Sequence, residues 1–153
     1  MTLPIRPGEV ELLARAEALL AQAYSPYSTI RVAALVLLDD GTVHAGVNVE
    51  NASLGLTVCA ERNALFAAVT AGAGVGVDRV GPRPVMVLFT SNSDDVTAPC
   101  GACRQVLHEL APDAVILFGR GGEVRHRWLS VGALLPDAFD GDWRARRPGL
   151  PNS

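Results

Sequence analysis

Apolar residues at Leu12, Leu13, Ala16, Leu19, Leu20 and Ala23 follow the period of one helix face and predict an amphipathic helix over Glu9 to Ala23. Tyr24-Ser25-Pro26-Tyr27-Ser28 breaks that period. Val32 to Leu38 is an unbroken apolar run and reads as a buried strand. Asp39-Asp40-Gly41 then turns the chain into a second strand from Thr42 to about Asn48, which makes a hairpin. Cys59 to Ala71 reads as a helix closed by Gly72, Val85 to Thr90 as a strand, and Cys100 to Leu110 as a helix stopped before Pro112. Val115 to Phe118 and about Glu123 to Trp128 predict two more strands around Gly119-Arg120-Gly121-Gly122, followed by a short helix from Ser130 to Leu135. There is no internal repeat and no low-complexity linker. Strands alternating with helices predict a layered α/β domain, and the antiparallel opening hairpin makes its sheet a mixed one.

Composition narrows the class without naming the chemistry. A length of 153 residues fits one domain, 1–153, long enough to bury a core, and 49% hydrophobic with 19% charged residues is ordinary globular chemistry. The N-terminus carries no apolar segment after a basic start, and no stretch approaches 18 uninterrupted apolar residues, so neither secretion nor membrane insertion is expected. The expected compartment is the cytoplasm, where thiols stay reduced and available to metal. A net charge of −3 and a pI near 5.5 provide no general attraction to polyphosphate, so no nucleic-acid polymer is expected as a partner. Arg144, Arg146 and Arg147 form the only basic run, in an Arg- and Pro-rich stretch at 143–153, and read as a solvated tail.

Candidate chemistry sits in two short segments, Cys59-Ala60-Glu61 and Pro99-Cys100-Gly101-Ala102-Cys103, which together hold all three cysteines. A structural zinc takes four protein ligands, whereas a catalytic zinc takes three and keeps an open position. Cys59, Cys100 and Cys103 supply three ligands, and Glu61 is left over as a non-ligand carboxylate. A Cys-x-Glu with a distant Pro-Cys-x-x-Cys is the pattern of zinc-dependent nucleobase deaminases, where that Glu is general acid and base. A redox pair at Cys100 and Cys103 is an alternative, but it leaves Cys59 and Glu61 idle. A Cys₃His structural zinc would need His44, His108 or His126; none has a close spacing to a cysteine, and His108 projects about 140° around the helix from Cys103.

All three cysteines fall at or near predicted helix starts, where free N–H groups and the positive dipole end favour thiolate. Three thiolates on one Zn²⁺ still leave a net negative charge, which weakens the metal as a Lewis acid. Arg62 is either the counter-charge, donating to ligand sulfur, or an exposed helix arginine; spacing alone favours neither.

Five blocks, Tyr24-Ser25-Pro26-Tyr27-Ser28, Asn48-Val49-Glu50-Asn51-Ala52-Ser53, Thr57-Val58-Cys59-Ala60-Glu61-Arg62, Pro99-Cys100-Gly101-Ala102-Cys103-Arg104-Gln105 and Leu134-Leu135-Pro136-Asp137-Ala138-Phe139, occur in the order found in the small homotetrameric cytidine deaminases. The chain resembles that family from about Glu9 to Asp142. The resemblance implies a three-layer fold with a five-stranded mixed sheet flanked by helices. It also implies zinc-dependent hydrolysis of cytidine and deoxycytidine to uridine and deoxyuridine with loss of ammonia.

Matched block by block, the resemblance makes Cys59, Cys100 and Cys103 the zinc ligands, Glu61 the proton shuttle and Arg62 the arginine bonded to thiolate. Asn48 and Glu50 correspond to the pair that holds the ribose, chiefly at its 3′-hydroxyl; without the resemblance they are polar residues at a strand end. Ala60 corresponds to the residue whose backbone N–H meets the pyrimidine O2. Phe139 resembles the aromatic that closes a neighbouring subunit's site, where an isolated Phe would otherwise be core. The implied assembly is a homotetramer with sites completed between subunits.

The sequence departs from the family in the nucleoside pocket. Ile30 and Leu54 stand where relatives commonly carry Phe and Tyr, and Ala33 adds a methyl where relatives have Gly. Aliphatic replacements keep apolar contact but lose the flat faces that stack against a base or sugar, so weaker cytidine binding or a preference for a related aminopyrimidine nucleoside is expected. A blasticidin S-type antibiotic deaminase and a catalytically idle zinc module are the competing readings. Asn48-x-Glu50 argues against the first, and retention of Glu61 against the second.

Overall fold

The computed structural model describes residues 8–75, 80–96, 98–139 and 141. Arg144, Arg146 and Arg147 lie outside the described residues, as does Asp142. Helix α1 spans Glu9–Leu19 and runs into a 3-10 turn at Leu20–Gln22, a tighter ending than the single helix to Ala23 expected from periodicity. The hairpin strands are β1, Val32–Leu38, and β2, Val43–Val47. Helix α2, Ala60–Thr70, β3, Pro84–Ser91, helix α3, Gly101–Leu110, and the strands β4, Val115–Arg120, and β5, Glu123–Trp128, follow. The last expected helix, Ser130 to Leu135, shortens to a 3-10 turn at Val131–Ala133.

The five strands form one sheet in the order β2-β1-β3-β4-β5, with β3 and β4 parallel and every other neighbouring pair antiparallel. Strand β4 runs two residues past the expected Phe118 to Arg120, because a register shift between Phe118 and Gly119 lets pairing with β5 continue to a tight turn. That turn needs Gly121 and Gly122, whose φ values of 62° and 75° lie in the left-handed region.

Alternation along the strands separates two cores. Ala34, Val36, Val87, Phe89, Ile116 and Phe118 pack under α2 and α3, while Leu35, Leu88 and Leu117 point the other way against Leu13 and Ala16 of α1. The result is a three-layer α/β fold whose central strands are apolar on both faces, which explains why β1 reads as an unbroken hydrophobic run. Arg127 of β5 donates through both terminal nitrogens, each at 2.8 Å, to the carboxylate of Glu9, which is 2% exposed in the first turn of α1. Among the described residues no helix is long and apolar enough to cross a membrane.

Gly46 sets how closely α2 lies on the sheet. A Cβ there would stand 2.3 Å from the Ala64 nitrogen and 2.6 Å from the Ala60 carbonyl oxygen, so the helix backbone rests on β2 with no side chain between. Ala60, Ala64 and Ala68 provide the small helix face that this approach requires, and all are fully buried. Gly46→Ala is therefore expected to lift α2 from β2 and to lower stability by about 1–3 kcal/mol, the usual cost of overpacking. Urea denaturation checks this; an unchanged midpoint would mean that the helix shifts without cost.

Candidate active site and metal centre

Cys59 is the N-cap of α2 and Cys100 the N-cap of α3, and neither helix start is capped by a side-chain hydrogen bond. Cys103 lies in the first turn of α3, fully buried. Two helix N-termini thus converge on one group of sulfurs, and both dipoles favour negative charge there. The three Sγ atoms lie within 4.8 Å of one another, and Cys59 and Cys100 are 3.6 Å apart. A tetrahedral zinc with sulfur bonds of about 2.3 Å sets its sulfurs roughly 3.8 Å apart, so the donor set and its spacing fit zinc.

Cys59 and Cys103 sit in unequal surroundings. The Cys103 side chain, bonding to Cys59, draws the Cys59 thiol down to about 5 against the effect of burial, with Arg62 and Cys100 adding to the shift. Cys103 is pushed up by that same bond and by burial. Arg62 Nη2 lies 3.8 Å from Cys59 Sγ and donates to the Thr57 carbonyl at 3.0 Å. Its Nε is buried without a hydrogen-bond partner. The guanidinium is therefore turned inward toward the sulfurs, as a counter-charge must be and an exposed helix arginine is not.

Glu61 follows in the first turn of α2 and is 5% exposed. Burial pushes its carboxyl up to about 7, while its own backbone N–H and the Cys103 and Arg62 side chains pull the other way. A carboxyl poised near neutrality both takes and returns protons. Ala60, the first residue of α2, occupies a position whose N–H has no partner inside the helix.

The second group of predicted residues is wired to the first through backbone. Val49 and Val58 exchange two hydrogen bonds of 3.0 Å, so the strand end carrying Asn48 and Glu50 is fastened beside Cys59. Tyr24 pairs with Val49 on the other side, its N–H donating to the Asn48 carbonyl at 3.1 Å and its carbonyl accepting from the Glu50 N–H at 2.8 Å. Asn48 is buried; its amide donates to the Ile30 carbonyl and accepts from the Val32 N–H, both at 2.8 Å. Glu50 accepts from the Tyr27 and Ser28 N–H groups at 2.9 and 3.2 Å and from the Ser28 hydroxyl. The Ser28 hydroxyl bond, with the two amides, holds the Glu50 carboxyl below its ordinary value.

The pocket residues expected from family departures are spread wider. Ile30 is half-buried beside Asn48, and Ala33 is fully buried on β1. Leu54 and Phe139 stand 72% and 75% exposed, so within one chain Phe139 is not a core residue. Its carbonyl nonetheless accepts from Gln105 Nε2 at 2.7 Å, which brings the segment after Pro136 back to α3. Sequence reasoning missed Ser28, Arg104 and Gln105 as individuals. Arg104 joins two parts of the site, its Nε donating to the Pro99 carbonyl at 2.8 Å and its Nη1 to the Leu134 carbonyl at 2.9 Å. The available signal was their place inside the matching blocks.

A family model described as "Cytidine and deoxycytidylate deaminase zinc-binding region" matches residues 9–118. A cytidine deaminase of Halalkalibacterium halodurans is 42% identical over 119 residues, covering 76% of this chain and 83% of that protein. One from Mycobacterium tuberculosis is 42% identical over 119 residues, covering 78% and 80%. The crystal structure of a cytidine deaminase from Burkholderia pseudomallei superposes with a TM-score of 0.72 at 42% identity, covering 84% of this chain and 97% of that one. Likeness that extends through the helices and the sheet, and is not confined to the cysteines, makes this chain a member of the small zinc-dependent cytidine deaminase family.

Proposed function

We propose that this protein hydrolyses cytidine and deoxycytidine to uridine and deoxyuridine with release of ammonia, in cytoplasmic pyrimidine nucleoside salvage. The carrying observation is Glu61, a buried carboxyl beside three clustered thiols that a structural zinc site would not need. Relatives that bear the name cytidine deaminase favour this reading over an antibiotic deaminase or an idle zinc module.

Cys59, Cys100 and Cys103 would hold the zinc, which when bound supplies a Lewis acid beside the reacting carbon and makes water nucleophilic near neutral pH. Glu61 takes a proton from the attacking water and passes it to N3 as oxygen bonds to C4. It then moves the proton of the new hydroxyl to the exocyclic amine, so the C4–N bond breaks with ammonia as the leaving group and a C4 carbonyl remains. Burial serves both halves, because a carboxyl near neutrality is a competent base first and a competent acid afterwards. Arg62 offsets the excess thiolate charge at Cys59.

At the other end, Asn48 and Glu50 would hold the ribose. An ionised carboxylate offers about four acceptor positions, and the protein takes three at Glu50, leaving one on Oε1 for a sugar hydroxyl. Asn48 similarly spends one amide hydrogen on Ile30 and keeps the second. Ile30, Leu54 and Ala60 complete the nucleoside end in this reading, with Phe139 arriving from a neighbouring subunit of a homotetramer. The exposure of Leu54, Leu56 and Phe139 supports a surface that assembly covers.

Purified zinc-loaded protein is expected to convert cytidine to uridine in an ultraviolet assay; no turnover of cytidine or deoxycytidine would overturn the substrate. Glu61→Gln should keep one zinc per chain while activity falls about a thousandfold or more, and metal analysis showing an emptied site would make Glu61 a ligand instead. Arg62→Ala should slow turnover in a folded, zinc-loaded enzyme; an unchanged rate would remove its electrostatic role. For the assembly, light scattering should give a tetramer, and Phe139→Ala should raise KM more than it lowers kcat, by about tenfold for an aromatic contact. A fully active monomer would remove the shared-site arrangement.

A further inference from the structure

The nucleoside end contains a hydrogen-bond system of which Asn48 makes only one side. Residues 29–31 lead into β1 beyond the ends of β2 and β3, yet their backbone groups are bonded in alternation. Asn48 binds the Ile30 carbonyl and the Val32 N–H. On the opposite side Asn92, just past the end of β3, accepts from the Arg31 N–H through Oδ1 at 2.8 Å and donates to the Thr29 carbonyl through Nδ2 at 3.1 Å. Its own backbone N–H donates to the Arg31 carbonyl at 3.1 Å. A carboxamide has the donor and acceptor of a peptide group, so Asn92 extends the β1–β3 pairing with its side chain where the strand has ended.

Thr29 shows why such a clamp is needed. Its φ of 60° is left-handed, an uncommon conformation for a β-branched residue that costs free energy and persists only where the surroundings hold it. The next residue back is Ser28, whose hydroxyl and N–H, with the Tyr27 N–H, orient the Glu50 carboxylate. Thr29, whose N–H also donates to the Ser25 carbonyl at 3.1 Å, thus links the Asn92 contact to the two residues that bond Glu50. Asn92 is itself anchored from behind: Arg120 of β4 donates to its carbonyl at 3.1 Å and pairs with Asp94.

We propose that Asn92 is a positioning residue for sugar recognition, holding Thr29 in its strained conformation so that Ser28 and Tyr27 aim Glu50 at the ribose. The proposal rests on the reading that Glu50 binds the 3′-hydroxyl. Its mark is selective: loss of Asn92 weakens the part of substrate binding that depends on that hydroxyl and leaves the deamination chemistry at Glu61 alone.

The test compares cytidine with 3′-deoxycytidine on zinc-loaded enzyme. Asn92→Ala is expected to raise KM for cytidine about tenfold with kcat within about twofold, while KM for 3′-deoxycytidine changes little, so the preference for the 3′-hydroxyl collapses. Equal losses on both substrates, or a preserved preference, would overturn the proposal. Glu50→Ala is measured beside it. If Glu50→Ala loses the preference and Asn92→Ala keeps it, the positioning role alone fails; if Glu50→Ala keeps it, the ribose reading fails and the proposal with it. Should Asn92→Ala not fold, Asn92→Asp serves, since it keeps the acceptor for Arg31 and loses the donor to Thr29. Its preference should fall part way, and an unchanged preference there would equally overturn the proposal.

Discussion

Direct backbone contact between α2 and β2 at Gly46 is the constraint on which the rest of the site depends. It places the first turn of α2, with Cys59, Ala60 and Glu61, at a set depth against the sheet edge, where even a methyl group would intrude. The alanine face of the helix makes this contact possible, and close-packed interiors transmit such a position with little slack. Catalytic geometry here begins with the absence of a side chain.

Electrostatics follow from that placement. Two helix N-termini meet at the sulfurs, so partial positive charge from both dipoles faces a cluster that has to accept three thiolates and a metal. Arg62 adds a full positive charge at Cys59. Glu61 lies in the same small volume but is governed mainly by burial, which keeps its carboxyl near neutrality. Sulfur and carboxyl groups a residue or two apart in sequence thus acquire opposite tendencies, the thiol toward ionisation and the acid toward retaining its proton. Neighbouring groups on one helix turn are thus set apart by their surroundings and not by sequence distance.

Segments around Tyr24, Val49 and Val58 form a small bridge of backbone bonds that fastens Asn48 and Glu50 to the start of α2. Two asparagine side chains act as surrogate peptide groups on either side of residues 29–32. Hydrogen bonds of this kind add little net stability one at a time, but they determine orientation because each constrains direction as well as distance.

The sequence by itself determined the class of the fold and the chemistry of the metal centre. Apolar runs, turn residues and helix stops located the five strands and three α-helices of the described residues, since burial and chain reversal both leave a trace in residue order. The clustering of Cys59, Cys100 and Cys103 was legible because a metal-binding set has to use particular residue types, here at helix starts. Details decided by non-local contact were not legible: the extension of β4 to Arg120 across a register shift, the 3-10 endings, and the closeness of Gly46 to α2. Arg62 could be read equally as solvent-facing or as a counter-charge until the fold turned it toward Cys59. Ser28 was marked only by its place in a matching block, and Asn92, an asparagine after a strand, by nothing. Only tertiary structure brings Ser28 to Glu50 and Asn92 to Thr29, and a hydrogen bond between residues far apart in sequence leaves no periodic mark in the chain that makes it.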